Sequence, residues 1–226
     1  MPETDRKQRV SPRTDFLRNR AILLAAAHTV FASRGIDAPL DAIAKAAGLG
    51  NATLYRHFPT RKLLVAEVLV ESLDRHRLAI DDALALEKGW DGFRQYLGWL
   101  FEEQIADRSY LAGLREIPAG ENSEIDVIRD SNLARFTALI ERSKLAGDFR
   151  ADRFLEDVLV VLMANEQLTR LGVDVARVAS RRFFELSLSM LSTRQEATAA
   201  GFPDDLAVLR RTIGHSLAGL PAADDA

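Results

Sequence analysis

The sequence predicts an all-α protein, with a small three-helix unit at the N-terminus and a larger helical domain behind it. Three observations carry this. Apolar residues recur at helical spacing along the chain, alternating β-branched runs between turn residues are missing, and glycines and prolines fall where one periodic segment stops and the next begins.

Leu23, Ala26, Ala27, Val30 and Phe31 line one face of a first helix from about Phe16 to Arg34, and Gly35 stops it. Leu40, Ile43, Ala44 and Ala47 repeat the pattern in a short second helix, whose first turn suits Pro39. Gly48-Leu49-Gly50 makes a tight turn, and Asn51 to His57 forms a third helix too short to be stable alone. Pro59 breaks it, and Thr60 N-caps a fourth helix running from Arg61 to about Leu86. Beyond Lys88-Gly89, Trp90 to Ala106 is amphipathic through Phe93, Leu97, Leu100, Phe101 and Ile105. A shorter helix covers Ser109–Glu116, and a long one runs from Glu121 to Leu145, closed by Gly147. Asp152–Leu171 and Val175–Leu191 are the last strongly apolar helices, and Pro203 opens a small one near Asp204–Leu217 ahead of an acidic tail.

Composition narrows the function. Of 226 residues, 47% are hydrophobic and 28% charged, a globular balance that excludes wholesale disorder. No apolar run approaches the ~20 residues of a transmembrane helix; Val158–Ala164 is cut by Asn165 and Glu166. The polar N-terminus lacks the apolar centre of a secretory signal, so the cytoplasm is the expected compartment and no membrane partner is expected. The absence of cysteine excludes disulfides, thiolate metal sites and cysteine nucleophiles. A net charge of −3 conceals an asymmetry: residues 1–62 hold eleven Lys and Arg against five Asp and Glu, and the rest of the chain is acidic. A basic first quarter on an acidic body points to a polyanion at one end, although solvated charge produces the same imbalance. Enzyme readings find no support. His28, His57, His76 and His215 show no metal-ligand spacing, no Gly-rich phosphate loop occurs, and the adjacent pairs Asp81-Asp82 and Glu102-Glu103 point in different directions on a helix. No catalytic residue, metal or cofactor is expected.

The informative segment is LDAIAKAAGLGNATLYRHFPTRKLL, residues 40–64. A short helix, a glycine turn and a second short helix match a helix-turn-helix, whose second helix enters the DNA major groove. Asn51, Thr53, Tyr55, Arg56 and His57 can donate hydrogen bonds, while Leu54 and Phe58 point back as anchors. Arg61 and Lys62 follow at the start of the fourth helix, where backbone N–H groups and cations together suit a phosphate. Taken singly, Tyr55 and His57 read better as capping or packing groups of a helical hairpin. So many polar groups on one short helix are harder to explain by packing.

The chain resembles a known family at these residues. TLYRHFPTRKLL, preceded by a leucine-isoleucine-alanine helix and an AGLG turn, is similar to the DNA-binding region of the tetracycline-repressor-like (TetR) regulators, and LLAAAHTVFASRG matches that family's opening helix. The resemblance covers about residues 18–65; GDFRAD at 147–152 also resembles a loop of the family's regulatory domain. It implies that Asn51, Ala52 and Tyr55 approach base edges, that Thr53, Tyr55 and His57 contact phosphates, and that Arg61 replaces a customary phosphate-binding lysine. Arg56 and Lys62 complete the expected DNA-binding set. Two positions depart from the family pattern. Pro39 stands where a serine or threonine often caps the second helix, and Gly50 replaces the usual serine before the third. The basic arm with Arg6, Lys7, Arg9 and Arg13 reads as a solvated start that on DNA lies along the backbone or in a minor groove.

For the larger domain the resemblance implies dimerisation and an effector pocket. The broad apolar arcs of Asp152–Leu171 and Val175–Leu191 agree with an ordinary core, and the reading favoured is a four-helix homodimer interface. Phe93, Leu97, Phe101, Ile105, Phe136, Ile140, Met163 and Gln167 are the ligand-binding candidates. Asn165, Glu166 and Gln167 would supply its polar contacts, or face a partner or solvent. The expected organisation is a flexible basic arm over 1–15, a DNA-binding domain over 16–60, an effector-binding and dimerisation domain over 61–193, and a short helix and tail over 194–226. The expected function is a sequence-specific repressor, released from a palindromic double-stranded operator by an unidentified small molecule. The alternative is an architectural or cell-cycle factor of the same fold without an effector.

Overall fold

The computed structural model describes residues 12–107, 109–171 and 173–193. They form α1 (Pro12–Arg34), α2 (Leu40–Ala46), α3 (Asn51–His57), α4 (Arg61–Leu84), α5 (Gly89–Ala106), α6 (Ser109–Glu116), α7 (Ser123–Leu145), α8 (Leu155–Leu168) and α9 (Val173–Leu191). Arg6, Lys7, Arg9, His215, the expected helix near Asp204–Leu217 and the acidic tail lie outside the described residues. No helix among the described residues is long and apolar enough to cross a membrane.

Several helix ends differ from the periodicity, each for a local reason. α1 begins at Pro12 rather than near Phe16, because proline suits a first turn and Asp15 complements the helix dipole there. Arg13 is therefore helical, not part of a free arm. α4 ends at Leu84, where Arg142 gathers the carbonyls of Leu84, Leu86 and Glu87 at 2.6, 2.6 and 3.0 Å. These acceptors have no helical donor left, and a guanidinium fork supplies one. α7 starts at Ser123, not Glu121, because the Asn122 side chain accepts from the N–H groups of Glu124 and Ile125. α8 starts at Leu155, three residues after Asp152, whose carboxylate is held instead by Arg150 at 3.0 Å. The Asp157 carboxylate accepts from the Phe154 N–H at 2.8 Å and secures the new start.

The described residues divide into two compact units, one reaching Leu73 and including Asp107–Val127, the other comprising Asp74–Ala106 and the chain from Ile128. In the first, Leu23, Ala27, Phe31, Ile43, Ala44, Leu54, Phe58, Leu64 and Leu69 are buried together with Ile117 and Ile125. In the second, aromatic rings dominate. Phe93 stacks on Trp90 at 5.5 Å and meets Phe149 edge-on at 5.0 Å, while Tyr96 meets Phe136 edge-on at 4.9 Å. Such pairs add specificity of orientation to apolar burial. Gly92 permits the close approach of α5 to α4, since a Cβ there would stand 2.4 Å from the Ala83 carbonyl oxygen. The segment Asp148–Arg150 pairs with the end of α9 through Arg150 N–H to Leu191 O and Thr193 N–H to Asp148 O, both 2.9 Å, and buries Phe149.

His76, on α4 in the second unit, is buried against the edge of Trp99 at 4.8 Å, with Nδ1 3.3 Å from the Tyr96 hydroxyl. Burial, and secondarily the charge of Arg75, lowers its pKa from 6.5 to about 3. The folded chain thus refuses a proton that the unfolded chain accepts, so His76 costs nothing above pH 6.5 and progressively more as pH falls toward about 3. The slope is up to about 1.4 kcal/mol per pH unit. His76→Gln is expected to flatten the acid limb of stability relative to the parent chain, measured by urea unfolding at pH 7 and pH 4.5. Equal acid slopes in both would remove His76 from that role.

Candidate nucleic-acid interface

Between α2 and α3 the chain turns on Gly48, whose φ of +66° is left-handed and ordinary for glycine. Leu49 N–H reaches back to Ala44 O at 3.0 Å and closes α2 as a Schellman-type stop. Gly50 then N-caps α3 from an extended conformation, its carbonyl accepting from Thr53 and Leu54 at 2.9 and 3.2 Å. Neither Pro39 nor Gly50 offers a side-chain cap, so the N–H groups starting α2 and α3 keep free donors. Leu54 and Phe58 are buried, and that orientation presents the opposite face of α3 outward.

On that outward face Asn51, Ala52, Tyr55 and Arg56 are exposed, Tyr55 to 48%, and Thr53 is half-buried. The Asn51 amide donates to the Asp41 carboxylate of α2 at 2.9 Å, which orients it in the unbound chain and must be exchanged when a base edge takes its place. Arg56 makes no hydrogen bond or ion pair among the described residues, and the same holds for Arg13, Arg18, Arg34 and Lys45 of this unit. These are the cations available to phosphates without losing a partner.

Three expected phosphate groups are otherwise engaged. His57 is only 6% exposed; its ring lies 4.1 Å from that of Phe16, and neither ring nitrogen has a hydrogen-bond partner. Burial, then Arg56 and Arg20, lowers its pKa, so the ring is a neutral packing group beneath α1 rather than an outward donor. Its place on the last turn of a short helix gives α1 room to cover it. Arg61 extends its guanidinium to the carbonyls of Ile36 and Ala38, at 2.7 and 2.9 Å, and so fastens the α1–α2 connection. Lys62 pairs with Glu121 on the surface. Thr60, as expected, caps α4, its hydroxyl oxygen accepting from Leu63 N–H at 3.2 Å.

One residue with a large structural role carries no signal in the sequence. The Arg20 guanidinium lies 4.5 Å over the Phe58 ring, donates to the His57 carbonyl at 3.2 Å and pairs with Glu67. Its partners lie 37 to 47 residues away, and no local pattern marks such a clasp.

The ligand-binding candidates do not converge. Phe93, Leu97, Phe101, Phe136 and Ile140 are buried within one apolar cluster, and Ile105 is half-buried. Met163, 65% exposed, and Gln167 stand on the outer side of α8 instead. Helical spacing explains the split, since Val158, Val161, Leu162 and Asn165 occupy the inward arc and leave these two outside it. Asn165 is the buried polar residue of the three. It donates to Gln104 Oε1 at 2.7 Å, and Gln104 donates to Leu162 O at 3.1 Å, which clasps α5 to α8.

Arg61→Ala strips a donor from two part-buried carbonyls, for which about 1–3 kcal/mol is the usual cost. A lowered melting temperature is expected, with weakened DNA binding following from the loosened α1–α2 connection. An unchanged melting temperature with weakened DNA binding would return Arg61 to the phosphate-contact set.

A buried-anchor helix with a polar outer face, following a glycine turn, is an arrangement shared with known proteins. A family model described as bacterial regulatory proteins, tetR family, matches residues 23–68. The crystal structure of a TetR transcriptional regulator from Streptomyces coelicolor is 28% identical, with 76% of this chain covering 98% of that one at a TM-score of 0.55. A regulatory protein in the tetR family from Rhodococcus RHA1 is 24% identical, with 77% and 97% covered and a TM-score of 0.54. RolR, solved in complex with the ligand resorcinol, is 20% identical, with 85% and 98% covered and a TM-score of 0.51. No curated protein matches the chain. The helix-turn-helix in the matched segment and the helical domain behind it place the chain in the TetR family of DNA-binding transcriptional regulators, which are not enzymes.

Proposed function

We propose that the protein is a homodimeric repressor that holds a palindromic operator until a small molecule, bound in the larger domain, releases it in the cytoplasm. Residues 16–60 read the DNA on this proposal, and residues 61–193 bind effector and partner. The observation that carries it is the outer face of α3, where Asn51, Tyr55 and Arg56 are exposed above the buried Leu54 and Phe58. An asparagine amide can pair with adenine through both its donor and its acceptor, and Arg56 is free for phosphate or guanine. Pairing of two chains is supported by large apolar side chains left exposed on the last two helices. These are Val160 and Met163 on α8, and Leu186 and Met190 on α9. A neighbour of the same fold holds resorcinol, which supports a small-molecule effector. Two copies of α3 must then meet half-sites about 34–36 Å apart, or a multiple of it, and an effector need only alter that separation. Linkage requires operator DNA to weaken effector binding by the factor with which effector weakens DNA binding.

Selection of binding sites from random duplex DNA, followed by footprinting, tests the reading. Asn51→Ala is expected to relax preference at one position per half-site, a contact class worth about 1–3 kcal/mol, and to spare non-specific binding. If Arg56 meets a phosphate, Arg56→Ala is expected to lower the log–log salt slope by about one for each half-site. Selection that recovers no preferred sequence would refute the reading. Met163→Asp combined with Met190→Asp is expected to turn a dimer into monomers in sedimentation equilibrium and to abolish paired half-site footprints. A persisting dimer would move the interface off α8 and α9.

A further inference from the structure

The larger unit carries a recess of about 360 Å³ between α5 and α9, and of the positions expected to bind ligand only Phe101 lines it. Its floor is apolar. The Phe101 ring meets Phe184 edge-on at 5.4 Å, and on the α5 side Gly98 lies directly against the Phe184 ring, where a Cβ would stand 3.5 Å from it. Its rim is cationic. Arg177 and Arg181 lie four residues apart on α9, both are exposed, and neither makes a hydrogen bond or ion pair among the described residues. Like charges at that spacing repel unless an anion lies between them. A single carboxylate, Glu102, also lines the recess and leaves one positive charge in excess.

A further feature points to a ligand. Ser180, in the wall beside the two arginines, is 1% exposed, and its hydroxyl makes no hydrogen bond among the described residues. Native structures rarely leave a buried hydroxyl so. Helical geometry also separates the recess from the exposed apolar side of α9. Leu186 lies about 140° around the helix from Arg181, so a partner seated on Leu186 and Met190 leaves the rim accessible.

We propose that this recess binds a small monocarboxylate on a flat aromatic body. The carboxylate is gripped by Arg177 and Arg181 and receives the Ser180 hydroxyl, and the ring lies against Phe184 beside Phe101. Guanidinium forks match a carboxylate's two oxygens, and an aromatic face suits a flat body. The proposal gives a chemical class to the effector of the proposed repressor and rests on that function for its consequence at the operator.

The test uses the full chain, titrated calorimetrically with 2-naphthoate and with its neutral analogue 2-naphthamide. One naphthoate per chain is expected, with the amide weaker by about tenfold or more, since it lacks the charge. Arg177→Gln and Arg181→Gln are each expected to weaken naphthoate by about tenfold at an unchanged melting temperature, because neither side chain has a partner to lose. Ser180→Ala is the discriminating variant. It removes an unpaired buried hydroxyl, so the melting temperature stays level or rises while naphthoate affinity falls severalfold. No binding at millimolar naphthoate, equal affinity for the amide, or full affinity in the arginine variants would overturn the site. Competition by inorganic phosphate as strong as by naphthoate would reduce it to a general anion site and overturn it equally. Naphthoate binding of the expected pattern that leaves operator affinity unchanged keeps the site and overturns the effector reading. Naphthoate that releases operator equally from the parent chain and from the double arginine variant keeps that reading and overturns the site.

Discussion

The seating of Phe58 and Leu54 is the constraint on which the DNA-binding unit depends. A seven-residue helix cannot sustain itself in water, because nucleation costs more than so few hydrogen bonds return. α3 therefore exists only where its two apolar anchors are buried, and their burial decides which residues of the helix face outward. Arg20 closes this arrangement from α1. Its guanidinium covers the Phe58 ring, takes the carbonyl of His57 at the helix end and pairs with Glu67 on α4. One side chain thus ties together three helices that would otherwise meet over short and weakly specified surfaces.

The same logic redistributes the cations of this unit. Arg20 and Arg61 bind carbonyls, a ring or a carboxylate within the protein, where they hold the motif in shape. Arg56 and Lys45 carry no such duty. Net positive charge in the first quarter of the chain is therefore a poor guide to how many cations meet a phosphate, since a guanidinium that satisfies buried acceptors is not available to one. His57 makes the same point for a polar ring: beneath Phe16 it is neutral and acts by filling space.

In the larger unit, aromatic packing and a polar clasp divide the work. Phe93, Tyr96, Phe136 and Phe149 interlock around α5, and Gly92 lets that helix approach α4 closely enough for them to do so. The Asn165–Gln104 pair gives each amide's N–H an acceptor that an apolar interior would otherwise deny it, and it also fixes the register of α5 against α8. Gly98 likewise lets Phe184 of α9 lie directly against α5.

The helical class, the order of the helices, the glycine turn before Asn51 and the identity of α3 are all legible in the amino-acid string. They follow from periodicity and from the backbone demands of glycine and proline, which act within a few residues. Local signals also mark Leu54 and Phe58 as anchors and Thr60 as a cap. Which polar groups stay free is settled only when the helices pack. His57 and Arg61 look like surface donors in a linear string, yet α1 covers one and the carbonyls of Ile36 and Ala38 take the other. Met163 and Gln167 read as pocket residues, and the rotation of α8 puts them outside. The physical reason is common to all four. Spacing specifies which residues share a helix face, but whether that face meets solvent, a ring or a buried carbonyl depends on residues tens of positions away, and only folding brings those into contact.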